Sequence, residues 1–183
     1  LLTERGYIVD GEVTADGRRL SQIYSESDLL VAECLRRGLW RGLGPAELAA
    51  VVSAVVFESR QESIYPVASG PTGAIRHAIT QTVGAWSELR ADEARHKLPP
   101  TREPDLGFVT AIYRWARNEP LLEALVAAGD QGRALSAGDF VRWCRQVIDL
   151  LEQINNTGYS DEIRDNANRA VDAIRRGVVA IGN

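Results

Sequence analysis

Leu135-Ser136-Ala137-Gly138-Asp139-Phe140-Val141-Arg142-Trp143-Cys144-Arg145-Gln146-Val147-Ile148-Asp149-Leu150-Leu151-Glu152-Gln153-Ile154 reads as a capped helix whose two faces ask for different surroundings. Phe140, Cys144, Val147, Leu151 and Ile154 recur at three- and four-residue spacing, so one stripe must be buried. The opposite stripe carries Arg142, Arg145, Gln146, Asp149 and Gln153, hydrogen-bonding side chains with two guanidinium groups near the start. Such a face can touch a polyanion or simply meet water. Trp143 stands three residues after Phe140 and four before Val147, which places it with the buried stripe; stacking on a base is its other use.

Outward from this helix, almost everything after Thr14 has helical periodicity. Ser25 or Ser27 can cap a helix through Asp28–Arg37 that Gly38 closes. Gly44-Pro45 opens the next with proline at the first helical position, and its body, Glu47 to Arg60, is apolar nearly all round until Phe57, as a central buried helix must be. Gln61 to Gly73, with Tyr65-Pro66 and Ser69-Gly70-Pro71, is the chief loop. A long helix from about Ala74 to Lys97 stops before Pro99-Pro100. Asp105 caps one carrying Phe108, Ile112, Tyr113 and Trp115, Pro120 opens Leu121 to Ala128, and a last helix runs from about Ser160 to Ile181. The expected class is all-α, a multi-helix bundle with one long helix. The exception is Gly6–Thr14, two β-prone runs around Asp10-Gly11, a hairpin signal with the look of a wing from a winged-helix unit. The expected organisation is therefore residues 1–24 as the end of such a unit, hairpin and following helix, and residues 25–183 as the helical bundle.

The 183 residues suffice for one well-packed domain, and 45% apolar content suits an ordinary core. A net charge of −4 is unusual for a free-standing nucleic-acid binder, so any contact with RNA or DNA has to be a local stripe. The chain contains no Met, which predicts a piece excised from a longer protein; a trimmed amino terminus on a small complete protein is the alternative. Cys34 and Cys144 lie in apolar helical pattern without disulfide or zinc spacing and read as buried thiols. No apolar run has the length of a membrane span and no signal peptide opens the chain, so a reducing cytoplasm fits.

Enzyme signatures are missing: no phosphate loop, no Gly-x-Ser-x-Gly elbow, no His-Glu-x-x-His pair. His77 and His96 are nineteen positions apart on one helix, too far to act as one ligand pair. Glu58 and Arg60 fall where the apolar helix runs out, the arginine where a helix dipole favours it. Arg114 and Arg117 flank Trp115, with Asn118 able to take a left-handed cap. Arg175-Arg176 near the end of the last helix most simply complement its dipole.

The pattern Gly138-Asp139-Phe140-Val141-Arg142 followed by Asp149-Leu150-Leu151-Glu152-Gln153-Ile154 resembles the closing domain, called DSHCT, of superkiller-type superfamily-two RNA helicases, with the look of the actinobacterial HelY-like members. Supporting matches run in order along the chain: Arg18–Leu30, Leu43–Ser53, Phe57-Glu58-Ser59-Arg60, Tyr113-Arg114-Trp115-Ala116 and Ala173–Val179. The resemblance implies that the long helix is a ratchet helix lying across a translocating single strand. Arg142, Arg145, Gln146 and Asp149 would then face the strand, with Glu58, Arg60 and Arg114 beside the channel. Gln146 departs from the family, where many relatives have a basic residue, so its contact would be a hydrogen bond. Asn118 departs where relatives have glycine.

What this implies is an accessory domain of an ATP-dependent 3′-to-5′ RNA helicase, with DNA as an alternative substrate, itself without cofactor. ATP and Mg2+ would bind elsewhere in the full-length helicase. Its partners would be single-stranded RNA or DNA, the motor and winged-helix domains of the same chain, and a nuclease of RNA decay. The rival readings are a helical module that docks a protein with its polar helix facing solvent, favoured by the acidic balance, and a free-standing regulator with a winged-helix reader.

Overall fold

The computed structural model describes residues 1–59, 70–130 and 132–181. Arg60 and most of the Gln61–Gly73 loop thus lie outside the described residues.

The chain opens with the expected hairpin. Strand β1 (Ile8–Val9) pairs antiparallel with β2 (Glu12–Val13), Ile8 opposite Val13. Asp10 and Gly11 have φ of 51° and 81°, the two positive values that a two-residue turn matching strand twist requires and that Asp-Gly tolerates. Thr14 then caps α1 (Ala15–Leu20): its Oγ1 accepts from the Gly17 amide at 3.1 Å and donates to the Tyr7 carbonyl at 3.0 Å. Helix and hairpin are so close that a Cβ on Gly17 would lie 2.3 Å from the Tyr7 carbonyl oxygen, a backbone atom with nowhere to go. Although alanine is the better helix former, Gly17→Ala is expected to destabilise the domain by about 1–3 kcal/mol, as overpacking does. Urea unfolding checks this, and an unchanged midpoint would refute it.

The rest is a helical bundle of α2 (Asp28–Arg36), α3 (Pro45–Ala54), α4 (Gly73–Arg95), α5 (Val109–Ala116), α6 (Leu121–Ala127), α7 (Ala137–Thr157), α8 (Asp161–Ile174) and α9 (Gly177–Ala180). Among the described residues the hairpin is the only sheet, so the all-α expectation holds. Pro45 starts α3 and Glu47 reaches back to the Gly44 amide at 3.1 Å. Every residue from Leu48 to Ala54 is buried, because α4, α5, α7 and α8 all pack on this helix.

The first 24 residues are tied to the bundle through buried groups. Tyr7, 1% exposed, donates its hydroxyl to Glu33 of α2 at 3.0 Å. Glu33 also pairs with Arg5 at 3.2 Å and Arg36 at 2.8 Å, while Arg5 reaches Asp92 of α4 at 2.6 Å. At the surface Arg95 and His96 grip Glu4, each at 3.0 Å, and hold its carboxyl down to about 2.

Two helix ends differ from the periodicity. The central helix, expected to reach Arg60, stops at Ala54. The Asp105 amide donates to the Ala54 carbonyl at 2.8 Å, and Arg102 donates to the carbonyls of Phe57 at 2.7 Å and Val56 at 3.2 Å. These donors come from the segment before α5 and replace the helix's own. The last helix, expected to run to Ile181, breaks after Ile174. Arg176 turns extended, φ −140° and ψ 166°, and donates to the carbonyls of Trp115 and Glu119, both at 2.7 Å. Its guanidinium carbon lies 3.5 Å from the Trp115 ring centroid, and Trp115 answers by donating its indole N–H to Ile174 at 2.8 Å. Arg176 therefore satisfies the carboxyl end of α5 instead of its own helix. Asp105, for its part, caps a 3-10 turn (Leu106–Phe108) that leads into α5.

Candidate nucleic-acid interface

Helix α7 begins where Ser136 Oγ accepts from the Asp139 amide at 3.1 Å and ends at Gly158, left-handed with φ 72°. Its apolar stripe, Phe140, Cys144, Val147, Leu151 and Ile154, is wholly inside. Its polar stripe forms one side of an open groove of about 340 Å³. From α7 the groove takes Trp143, Gln146, Asp149 and Gln153; from the segment after α3, Val56 and Glu58; from the connection before α2, Tyr24 and Glu26; and from the segment before α5, Arg102.

Each wall is held in place. The segment bearing Glu58 is pinned on one side by the Arg102 contacts to Val56 and Phe57, and on the other by Asp105. The carboxylate of Asp105 accepts from the Ser59 amide at 2.8 Å and the Ser59 hydroxyl at 3.1 Å. Gln153 accepts from the Tyr24 amide at 2.7 Å, which fixes the backbone there and leaves the Tyr24 ring 77% exposed. Trp143 is half-buried: one edge meets Phe57, centroids 5.0 Å apart, and the Arg142 guanidinium lies 4.6 Å from its ring centroid. Trp143 thus joins the core on one side and lines the groove on the other.

The groove brings together three of the residues singled out from the sequence, Gln146, Asp149 and Glu58, and Arg142 stands beside it through Trp143, half-exposed and paired with Asp139 at 3.4 Å. Arg145 points elsewhere: its guanidinium donates to the Ile181 carbonyl beyond α9. Arg114 does not line the groove and lies 4.0 Å from Glu123 of α6. Arg60 is outside the described residues. Tyr24, Glu26 and Arg102 were not anticipated, since no local spacing links them to α7.

The lining is acidic. Among the described residues, Glu26, Glu58 and Asp149 share the lining with one guanidinium, Arg102, which donates to backbone carbonyls. Partial burial, reinforced by Glu152 and opposed by Arg175, raises the Asp149 carboxyl above its ordinary value. A phosphate would be repelled here, whereas an aromatic, hydrogen-bond-donating group would find both a ring face and acceptors. Among the described residues no group of three or more His, Cys, Asp or Glu could hold a metal ion. Burial pushes the Cys34 thiol up to about 12 and raises the Cys144 thiol as well, which disfavours the thiolate form of both. No helix among the described residues is long and apolar enough to cross a membrane.

Comparison with known proteins agrees with the residues that carry the resemblance. The chain is 56% identical over 190 residues to the probable helicase HelY of Mycobacterium tuberculosis and 54% identical to that of Mycobacterium leprae. In each case 99% of this chain is covered, and it spans only 21% of the relative's length. The DSHCT (NUC185) domain family matches residues 10–181, and with that match over nearly the whole chain, the protein belongs to the DSHCT family found in helicases.

Proposed function

We propose that this domain guides and grips a single strand of RNA, or of DNA, as it leaves the motor domains of an ATP-dependent 3′-to-5′ helicase, with α7 as the ratchet helix. The observation that carries the reading is the groove: the polar stripe of α7 meets Glu58 and two accessible aromatic rings, Tyr24 and Trp143, in one concavity. A motor must hold its strand against slipping back, release it every cycle, and do so on any sequence. Stacking on bases together with a few polar contacts supplies roughly 1–3 kcal/mol per base, enough for grip without the tenacity of many phosphate contacts. Arg142, Gln146, Asp149 and Glu58 are the proposed strand contacts. Arg145 and Arg114, engaged with Ile181 and placed beside Glu123, are left outside that set.

In this proposal ATP and Mg2+ bind to the motor domains, as the family resemblance implies, and the domain's part is confined to the strand. The winged-helix and motor domains of the same polypeptide would be its immediate neighbours. The acidic lining favours a second reading, a groove that docks a basic segment of a partner protein.

The test is fluorescence-anisotropy binding of single-stranded RNA to the full-length polypeptide that carries this domain, wild type against Arg142→Ala/Gln146→Ala. Affinity is expected to fall roughly tenfold, the loss of about one good base contact, with strand-stimulated ATPase falling alongside. Equal affinity and equal stimulation in the two proteins would remove α7 from the strand path and leave the docking reading.

A further inference from the structure

We infer that Tyr24 is a base-stacking residue of the strand path, and that Gln153 is the positioning residue that holds it there. The inference rests on the strand-guiding reading and adds to it a contact from outside α7, supplied by the connection between α1 and α2.

That connection is fixed on both sides of the ring. Ile23, before it, is 3% exposed and belongs to the core. Ser27, after it, is 2% exposed, and its amide donates to Ser25 Oγ at 3.1 Å. Between them the Tyr24 amide donates to Gln153 Oε1 of α7 at 2.7 Å. The Tyr24 ring nevertheless stays 77% exposed, although aromatic rings are among the side chains that gain most from burial. An ordered backbone carrying an unburied ring has met most of the ordering cost of a contact before the ligand arrives, because only two side-chain torsions remain to be fixed.

The groove's other ring is more committed. Trp143 has Phe57 against it, centroids 5.0 Å apart, and the Arg142 guanidinium 4.6 Å from its centroid. Among the described residues no aromatic ring or guanidinium packs on Tyr24. Trp143 is thus part of the wall, and Tyr24 is the ring left to a ligand. Stacking suits this groove because it brings a neutral base, not a phosphate, toward an acidic lining. It also suits a motor, since every base has a π-face and the grip extends to any sequence. Gln153 lines the same groove, and its side-chain carbonyl, by accepting from the Tyr24 amide, ties the ring-bearing segment to α7.

The experiment is fluorescence-anisotropy binding of oligouridine to the full-length polypeptide carrying Tyr24→Ala, Tyr24→Phe, Gln153→Ala or Tyr24→Ala/Gln153→Ala, beside Arg142→Ala/Gln146→Ala. Tyr24→Ala is expected to weaken binding roughly tenfold, the loss of about one stacked base. Tyr24→Phe is expected to keep wild-type affinity, since the ring makes the contact and the hydroxyl does not. Gln153→Ala is expected to weaken binding by itself and to add little to Tyr24→Ala, as a residue acting through the ring must. Unchanged affinity in Tyr24→Ala overturns the inference; strand guidance stands if Arg142→Ala/Gln146→Ala still weakens binding, and falls too if that variant binds like the wild type. Equal losses in Tyr24→Ala and Tyr24→Phe assign the contact to the hydroxyl and overturn stacking, and fully additive losses overturn the positioning role of Gln153. If Tyr24→Ala abolishes binding of an arginine-rich peptide while oligouridine binds as before, the ring serves a partner protein and the inference falls.

Discussion

Phe140→Ala is expected to lower stability by about 3–5 kcal/mol, the range for removing a buried aromatic ring. Phe140 is 0% exposed and sits between two other rings, with centroids 5.5 Å from Phe108 and 5.5 Å edge-on from Trp115. Such edge-to-face pairs add to the area buried, and a bundle held by Phe108, Trp115 and α3 around the void cannot simply collapse into it. The consequence extends to the groove. Phe108 stacks on Phe57 at 5.2 Å, and Phe57 meets Trp143 edge-on at 5.0 Å, so an unbroken line of rings runs from Trp115 through Phe140 to the groove wall. Phe140→Leu, which keeps much of the volume, is expected to retain most of the stability that alanine loses. Urea unfolding followed by circular dichroism checks both; a loss below about 1 kcal/mol for alanine would mean the rings merely touch and do not pack.

How far this arrangement was legible in the sequence depends on how local its causes are. The stripe of α7 was readable because helical spacing decides burial, and the Ser136 cap and the Asp10-Gly11 turn because short-range backbone chemistry decides them. The burial of α3 followed from an apolar surface all round. Its stopping point did not, because Ala54 is capped by Asp105 and the following turn by Arg102, groups that no window around residue 54 contains. The break after Ile174 has the same origin, since Arg176 leaves its helix to serve α5. For the candidate site, Gln146 and Asp149 were legible as members of the polar stripe. Arg145 lies on the flank of that stripe, and its engagement by the Ile181 carbonyl comes from a residue 36 positions away, beyond any helical spacing. Tyr24 enters the groove through a hydrogen bond to Gln153 that spans 129 positions, a pairing that only the fold brings about.

Glu33→Ala is expected to cost a comparable amount, about 3–5 kcal/mol, because it removes one side of a buried ion pair and strands the other. The Glu33 side chain is 2% exposed and compensates two guanidinium groups, Arg5 and Arg36, while accepting from the Tyr7 hydroxyl. Alanine would leave Arg5, itself only 13% exposed, with Asp92 as its remaining carboxylate, and would leave the Tyr7 hydroxyl buried without an acceptor. The variant also asks whether residues 1–24 stand apart from the bundle. If they are the end of a neighbouring unit that merely docks here, Glu33→Ala should free them and leave the bundle's melting unchanged, with early amide exchange confined to the hairpin and α1. If they are part of one cooperative structure, the whole domain should melt in a single transition at lower temperature, and amides of α2 and α3 should lose protection together with those of the hairpin. Tyr7 and Ile23 lie in the same hydrophobic cluster as Leu30, Val31 and Leu48, so the single transition is the expected result. Replacing Tyr7 with phenylalanine separates the two contributions: it keeps the buried ring and drops only the hydroxyl, leaves Glu33 paired with both arginines, and should cost about 1 kcal/mol, the net worth of one hydrogen bond.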